Sequence, residues 1–455
     1  MLIILILMFE LSIVILKGEE AMGEVYRKSN FVLFALGRLV SLIGAGIQTI
    51  VLPLYILDVT GSATTMGVFT LLSIIPRLAA TPFAGVFGDR WNRKMIMVYA
   101  DFGHGILLYL LFLIALSGQM TIALVFVSTA LLSVLDAFFS GATSGMIPDI
   151  VPESHLKKAN STLGFVSSVS NIIGPVLGGI LYGLTGIGGV FLINATCFTL
   201  SAISEIFIHY HPKLRSEKLT MTGFVNDLKE GASFVFRKRG LKALFLFAMV
   251  LNFISSPIFY IVFPFVLKTT IRFSSQQYGT LQSALVVGSL IGNLIIIKFL
   301  LKASNKKMLL GGLFSQYAFQ YVFGITLFQP LFGWLQNQLF LYFWIVAVFF
   351  AIMGFFNTLV NVPIHTNLQV MTPTEIRSRV FSVLELLSQI MVPIGAVIYG
   401  FLMDHLPVHW FLIANNSLCV LVTVVFLWIA PPEVYDPHLE GKTKAENTTP
   451  CVENH

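Results

Sequence analysis

The chain has 455 residues, of which 56% are hydrophobic and 11% are charged, and its mean hydropathy is +0.85. A soluble fold of this length could not hide so much apolar surface, so the composition excludes a soluble protein and indicates an integral membrane protein. The formal net charge of +6 is modest and its basic residues lie in short loops, so we expect no nucleic-acid partner.

The first apolar run, at residues 2–16, is too short to cross a bilayer. It also lacks the basic start and the small-residue cleavage site of a signal peptide. Residues 17–20, Lys-Gly-Glu-Glu, are what a purine-rich ribosome-binding site would encode in frame, and Met22 follows at a suitable distance. Our hypothesis is that translation starts at Met22 and that residues 1–21 are not translated.

From residue 31 onward the sequence predicts twelve membrane-spanning helices, because apolar runs of roughly 20 residues recur between short polar loops. The predicted spans cover residues 31–56, 62–87, 95–116, 122–146, 159–184, 189–208, 241–266, 278–301, 308–328, 339–362, 380–403 and 410–429. An even number of spans places both termini on the same side of the membrane.

The basic residues of the loops fall mainly on one side of this topology. The loops after spans 2, 4, 6, 8 and 10 all carry Lys or Arg, whereas the opposite loops hold only Lys268 and Arg272. Since Lys and Arg are retained on the cytoplasmic side, this asymmetry predicts that both termini are cytoplasmic.

The longest internal connection, residues 209–240, divides the spans into two groups of six, at 31–208 and 241–430. Apolar residues recur at helical spacing within this linker, which predicts an amphipathic helix at the cytoplasmic interface. Residues 1–30 form an N-terminal segment, and the polar tail 431–455 is predicted to be disordered in the cytoplasm.

The second group of spans repeats features of the first. Four pairs of identical residues are separated by the same number of positions: Pro152/Pro373, Ser161/Ser382, Gly174/Gly395 and Gly179/Gly400. The repeat falls at equivalent topological positions, which is typical of transporters built from two parallel helical repeats. Chance similarity among simple apolar helices is the alternative.

The loop between spans 2 and 3 concentrates glycines and charges. It reads, in order, Gly85, Val86, Phe87, Gly88, Asp89, Arg90, Trp91, Asn92, Arg93 and Lys94. This spacing resembles the signature loop of the major facilitator superfamily of membrane transporters, which has Gly where this chain has Asn92. Because Asn tolerates left-handed backbone angles, we expect the turn to be retained. A loop that only fixes topology is the alternative interpretation.

The resemblance implies roles for single residues of this loop. Gly85 and Gly88 would let two helix ends approach closely. A charge network on the cytoplasmic side would consist of Asp89, Arg90, Arg93 and, at the end of span 4, Asp149. We expect it to latch the outward-open state and to break when the cytoplasmic side opens.

Span 5 contains a second motif, Gly174-Pro175-Val-Leu-Gly178-Gly179. It resembles the core of the motif that marks antiporters within the superfamily. The full motif has a further Gly where this chain has Ser170, and the Arg expected within span 4 of many proton-coupled exporters is absent. Proline and glycines in this pattern give a closely packed, kinkable helix surface, so a packing role alone is the alternative.

Further runs are similar to the bacterial branch that holds macrolide-efflux proteins and the enterobactin exporter. They lie at 36–44, 147–161 and 368–373. The resemblance implies the major facilitator fold, in which twelve helices form two pseudo-symmetric six-helix bundles. It also implies a monomer in the plasma membrane of a bacterium.

Ionisable residues inside the spans are costly and are therefore functional candidates. Asp136, deep in span 4, is the first choice for a carboxylate that takes up a proton or faces the substrate, with Arg77 as its expected partner. Glu385 in span 11 is the second choice, and Asp101 shares a face of span 3 with His104. Each of these charges could instead form a static structural pair. We expect Glu205 and Arg38 to lie near the interface as snorkelling or packing residues.

These features favour a secondary active exporter that moves amphipathic small molecules by alternating access and is driven by protons. Export or uptake of one metabolite, such as a siderophore, is an alternative, and a transport-inactive membrane sensor or scaffold is another. No nucleotide loop, metal-ligand cluster or nucleophile pattern occurs, so we expect neither an enzyme nor a cofactor nor a bound metal. The three cysteines have unrelated spacings and predict no disulfide.

Overall fold

A computed structural model describes residues 25–210, 221–300, 303–373 and 376–434, and the regular structure in these residues is helical. In chain order the helices are α1 (Val25–Thr60), α2 (Ala63–Arg90), α3 (Arg93–Leu116), α4 (Ile122–Ile150), α5 (Leu156–Ile206), α6 (Met221–Arg237), α7 (Arg239–Pro257), α8 (Ser275–Ile295), α9 (Asn305–Ile325), α10 (Leu331–Asn337), α11 (Leu339–Met371), α12 (Arg377–His405) and α13 (Val408–Ile429). Beyond α7 the chain stays helical to Thr270 through two π-helical turns, and a third such turn extends α8 to Leu300.

Ten helical segments in the described residues are long and apolar enough to cross a membrane. The prediction of an all-helical, multi-pass membrane protein is thereby confirmed, whereas the number of twelve spans stays a prediction. Predicted spans 5 and 6 both fall in the segment Glu153–Ile206. Predicted span 9 coincides with α9, which is not one of the ten and whose two lysines and two glutamines lower its hydropathy.

A single glycine divides the 51-residue α5. Gly186 has φ 63° and ψ −169°, a backbone conformation that is essentially restricted to glycine. Without this kink α5 would be about 75 Å long, more than twice the hydrocarbon thickness of a bilayer. The kink lies between the predicted end of span 5 and the predicted start of span 6, so it lets one helical run supply both spans.

Side-chain caps begin several helices next to the short loops. Asn92 accepts a hydrogen bond from the Met95 amide and caps α3, and its φ of −65° is not left-handed. The left-handed angle that Asn would tolerate is not used here, because an N-cap residue takes an extended conformation. Ser62 and Thr121 cap α2 and α4 in the same way.

By their contacts the described residues group into two compact units. The first unit contains the chain up to Phe224 together with Tyr260–Val286 and Ala396–Asp404. In it α5 packs along α1 and α3, and α2 packs against α4. Small residues allow the α1–α5 contact, where a Cβ at Gly46 would lie 3.1 Å from the Gly174 Cα.

The second unit contains Val225–Phe259, Val287–Gly395 and the chain from His405 onward. In it α11 and α13 pack against α9, and Arg379 of α12 pairs with Asp227 and Glu230 of α6, at 2.8 and 2.7 Å. The division of the chain at the 209–240 linker stays a prediction.

The ends of the chain fall mostly outside the described residues. This applies to the N-terminal segment up to residue 24, including the hypothesis on Met22, and to the tail from residue 435. The start of the predicted tail is ordered, however, because Val434 is buried and its carbonyl oxygen accepts a 2.8 Å hydrogen bond from the Asn367 side chain. The prediction of disorder from residue 431 is wrong for these first four residues.

The kink gives a testable prediction. Gly186→Ala should destabilise the protein by about 1–3 kcal/mol, because an alanine is strained at a positive φ with this ψ. Thermal unfolding of the purified protein in detergent should show this as a lower midpoint. Gly164→Ala in the same helix is the control, because a Cβ at Gly164 meets no atom within 4 Å. A midpoint equal to that of Gly164→Ala would contradict the role given to Gly186.

Candidate functional site

Five ionisable side chains from four helices lie in the interior of the first unit. They are Arg38 on α1, Asp101 and His104 on α3, Asp136 on α4 and Glu205 on α5. Asp101 and Glu205 are each 1% exposed and His104 is 2% exposed, whereas the Asp136 side chain is 51% exposed. The cluster therefore reaches from a fully enclosed interior to an accessible carboxyl group on α4.

His104 and Asp136 lie close enough to form a hydrogen bond, and such a bond would hold one proton between the two side chains. The His104 Nδ1 lies 2.9 Å from the Ala100 carbonyl oxygen, which can only accept, so Nδ1 donates there. The other ring nitrogen, Nε2, lies 3.2 Å from the Asp136 Oδ1. A neutral ring protonated at Nδ1 offers no donor at Nε2, and an ionised carboxylate offers none either. A hydrogen bond between Nε2 and Oδ1 therefore requires a proton on the imidazole or on the carboxyl group.

Asp101 and Glu205 are buried without full hydrogen-bond satisfaction. Among the described residues no hydrogen-bond partner is found for either oxygen of Asp101 or for the Oε2 of Glu205. An ionised carboxylate in such surroundings loses its hydration without recovering it from the protein. These two groups therefore need a compensating cation or a proton.

Arg38 supplies the permanent positive charge of this interior. It is close enough to interact electrostatically with Asp101, Asp136 and Glu205, and its guanidinium group lies 5.3 Å from the centre of the Phe139 ring. Arg77 also lies within electrostatic range of Arg38, so two guanidinium groups would face three carboxylates and leave one negative charge unbalanced with His104 neutral. Protons on the cluster would remove this imbalance, which is why we regard it as the candidate site.

Glu205 is buried, which agrees with packing, one of the two roles expected for it. The structure corrects the expected partner of Asp136. Asp136 pairs with His104 and not with Arg77, which is exposed on α2. Glu385 on α12 is also exposed and lies outside this cluster.

A second cluster lies near the first, where α3 begins, α4 ends and the chain leaves the end of α5. The Arg93 Nη1 is 2.8 Å from the Asp149 Oδ2, and it also donates to the Gly145 carbonyl oxygen at 2.8 Å. A Cβ at Gly145 would lie 2.7 Å from the Arg93 Nε, so only glycine leaves room for the guanidinium. Of the predicted charge network, the structure thus brings Arg93 and Asp149 together, whereas the side chains of Asp89 and Arg90 lie outside the described part.

Tyr210 joins this second cluster, and sequence reasoning missed it. Its hydroxyl donates a 2.9 Å hydrogen bond to the Asp149 Oδ2. Burial, together with the nearby Asp149 carboxylate, raises the pKa of Tyr210 to about 12. The tyrosine therefore stays a donor to Asp149 at every physiological pH.

The glycines of the two predicted motifs have different surroundings. Gly174 and Gly178 of α5 lie against α1, where a Cβ would be 2.9 Å from the Gly46 Cα and 3.0 Å from the Ile47 carbonyl oxygen. Gly179 faces the Ser275 backbone at the start of α8, and Pro175 faces Gly279. A Cβ at Gly85 or Gly88 would instead meet no described atom within 4 Å. The close approach expected at these two glycines is therefore not present in this structure.

A sequence model of the Major Facilitator Superfamily matches residues 34–335 and 245–453 of the chain. The chain therefore belongs to this superfamily, whose members are transporters and not enzymes. It is 25% identical over 413 residues to macrolide efflux protein A of Streptococcus pyogenes, covering 88% of this chain and 95% of that protein. It is 24% identical over 400 residues to the multidrug efflux pump Tap of Mycolicibacterium fortuitum, covering 85% and 92%.

Solved structures of transporters share the fold. A bacterial homologue of the human lysosomal transporter Spinster, in an inward-facing and unoccupied conformation, superposes with a TM-score of 0.65 at 16% identity, covering 95% of this chain and all of that one. The nucleoside transporter NupG superposes with a TM-score of 0.66 at 12% identity, covering 88% and 98%.

The bond from Tyr210 to Asp149 can be tested by its pH dependence. At pH 8, Tyr210→Phe should lower the free energy of unfolding by about 1–2 kcal/mol, because a hydrogen bond to a charged acceptor is lost. A raised pKa in the folded state means that the unfolded chain releases this proton first. The advantage of the wild type should therefore be complete below about pH 10 and should decline as the pH rises towards about 12. Thermal unfolding of both proteins across this range measures it, and a constant difference up to about pH 12 would contradict it.

Proposed function

We propose that this superfamily member is a proton-driven exporter of macrolides or other amphipathic small molecules that works by alternating access. The observation that carries proton coupling is the His104–Asp136 contact, which becomes a hydrogen bond only when a proton lies between Nε2 and Oδ1. Asp136 is accessible and His104 is buried, so the pair connects the surface of α4 with the enclosed Asp101 and Glu205 carboxyl groups.

Charge balance provides the mechanism of coupling. The cluster holds more carboxyl groups than the Arg38 and Arg77 guanidinium groups can compensate, so the free energy of any arrangement of these helices depends on how many protons the cluster holds. A change of helix packing that exposes or encloses Asp136 would then change the number of bound protons. That dependence is what a proton-driven conformational cycle needs.

The substrate class rests on the names of the relatives and on the apolar composition. Macrolide efflux protein A and the Tap multidrug efflux pump cover most of this chain, which supports export of amphipathic compounds. We place the protein in the plasma membrane of a bacterium, as a monomer with both termini in the cytoplasm. The loop charges support this orientation.

Uptake by everted membrane vesicles tests the function. Vesicles that contain the protein should accumulate radiolabelled erythromycin or cationic dyes when respiration acidifies their interior, and a protonophore should abolish this accumulation. Accumulation that survives the protonophore would contradict proton coupling. Accumulation of no compound from a broad panel would contradict drug export and favour a single metabolite or a transport-inactive scaffold.

Variants of the pair test which residues carry the coupling. Asp136→Asn and His104→Gln should each reduce accumulation to the level seen with the protonophore, because each variant lacks one of the two groups that would share the proton. Glu153→Gln, in the exposed turn before α5, is the control and should transport normally. Loss of transport in Glu385→Gln, with normal transport in Asp136→Asn, would move the coupling site to α12.

A further inference from the structure

A set of polar contacts joins helices far apart in sequence at one end of the first unit. This end contains the loop between α1 and α2, the middle of α5, the start of α8 and the end of α12. It lies at the end of α2 that is distant from the Arg93–Asp149 cluster. The distribution of basic loops places it on the extracellular side.

Asp58, at the end of α1, is the centre of the first contact. Its Oδ2 accepts a 2.8 Å hydrogen bond from the Tyr182 hydroxyl of α5, and its Oδ1 is 3.2 Å from the Lys268 Nζ. Lys268 also donates to the Ser275 hydroxyl at 3.1 Å. These contacts link α1 and α5 to the helical segment that precedes α8.

Asp404, near the end of α12, makes the second contact by capping a helix from the other half of the sequence. Its Oδ1 accepts a hydrogen bond from the Ala63 amide at 2.7 Å, and its Oδ2 accepts from the Ser62 hydroxyl at 2.7 Å and the Thr64 amide at 3.0 Å. The first-turn amides of a helix have no partner within the helix, and its positive end favours a carboxylate. Asp404 therefore satisfies the start of α2 only while the two helices stay together.

The backbones beside these contacts touch through glycines. A Cβ at Gly67 of α2 would lie 2.6 Å from the Ala396 carbonyl oxygen of α12, and Gly400 lies equally tightly against Ala63. Gly279 of α8 packs against the Pro175 carbonyl oxygen of α5 in the same way. At the other end of α2, the Cβ positions of Gly85 and Gly88 meet no described atom. The α2–α12 contact is thus closed at the end that Asp404 caps.

We propose that Asp58, Tyr182, Lys268 and Asp404 form an outer latch that holds the extracellular end closed and opens once in each cycle to release cargo. Polar contacts near water suit this task, because water replaces them at little cost when they separate. The glycines allow close packing of the helices at the closed end, and the polar contacts of the latch hold them together reversibly. The proposal rests on the alternating access of the proposed function.

Labelling of a buried cysteine tests the latch without any cargo. Ser283 of α8 is buried and donates a hydrogen bond to the Ile172 carbonyl oxygen of α5, so a cysteine there is reached only when these helices part. In a chain whose three native cysteines are replaced by alanine, Ser283→Cys should react slowly with a membrane-impermeant maleimide in intact cells. Adding Asp58→Asn or Lys268→Gln should speed labelling about two- to fivefold, as expected for a partly exposed ion pair. Asp404→Ala should speed it about tenfold, since a helix cap is lost.

Two controls keep the result interpretable. Arg272→Gln removes an exposed cation just after the π-helical turn that holds Lys268. The described residues offer Arg272 no ion pair, so this variant should leave the rate unchanged. The charge-reversed pair Asp58→Lys with Lys268→Asp should restore slow labelling, which a misfolded variant could not do. Rates equal to that of Arg272→Gln in all latch variants would overturn the proposal, and so would faster labelling only in everted vesicles. Because no transport is measured, the latch can fail while proton-driven export holds, and the reverse.

Discussion

A charge buried in an apolar helix bundle must be balanced by an opposite charge or by a proton, and the first unit is arranged around this constraint. Arg38 lies among three carboxyl groups, and the His104 Nε2 lies 3.2 Å from one of them, the Asp136 Oδ1. The helices that carry these groups, α1, α3, α4 and α5, pack closely through small residues. Their packing and the protonation of the cluster are therefore linked in free energy.

The two ends of the same helices carry contacts of a different kind. At one end Arg93, Asp149 and Tyr210 form a hydrogen-bonded group with a carboxylate shared between two donors. At the other end Asp58 and Asp404 reach partners on helices that are distant in sequence. Contacts between charged groups can be exchanged for water more readily than an apolar interface, so both ends are suited to opening. The buried cluster between them is suited to sensing a proton.

Sequence alone predicted a multi-pass helical protein, because apolar length is a direct consequence of bilayer thickness. It also selected Asp101 and Asp136, since charges in apolar runs are rare. It chose the wrong partner for Asp136, because position along a span does not tell which neighbouring helix faces it, and His104 of α3 rather than Arg77 of α2 does so. Nothing in the sequence indicated a role for Asp404, because its partners at the start of α2 lie 340 or more positions away along the chain.

The central claim is that His104 and Asp136 share an exchangeable proton, and infrared difference spectroscopy of the purified protein between acidic and alkaline buffer tests it most directly. We predict that one carboxyl and one imidazole contribution change together in the wild type, and that this coupled contribution is absent from Asp136→Asn and from His104→Gln but persists in Glu153→Gln. Bands that are the same in wild type and in both variants of the pair would contradict the account, because the two groups would then exchange no proton with each other or with the solvent.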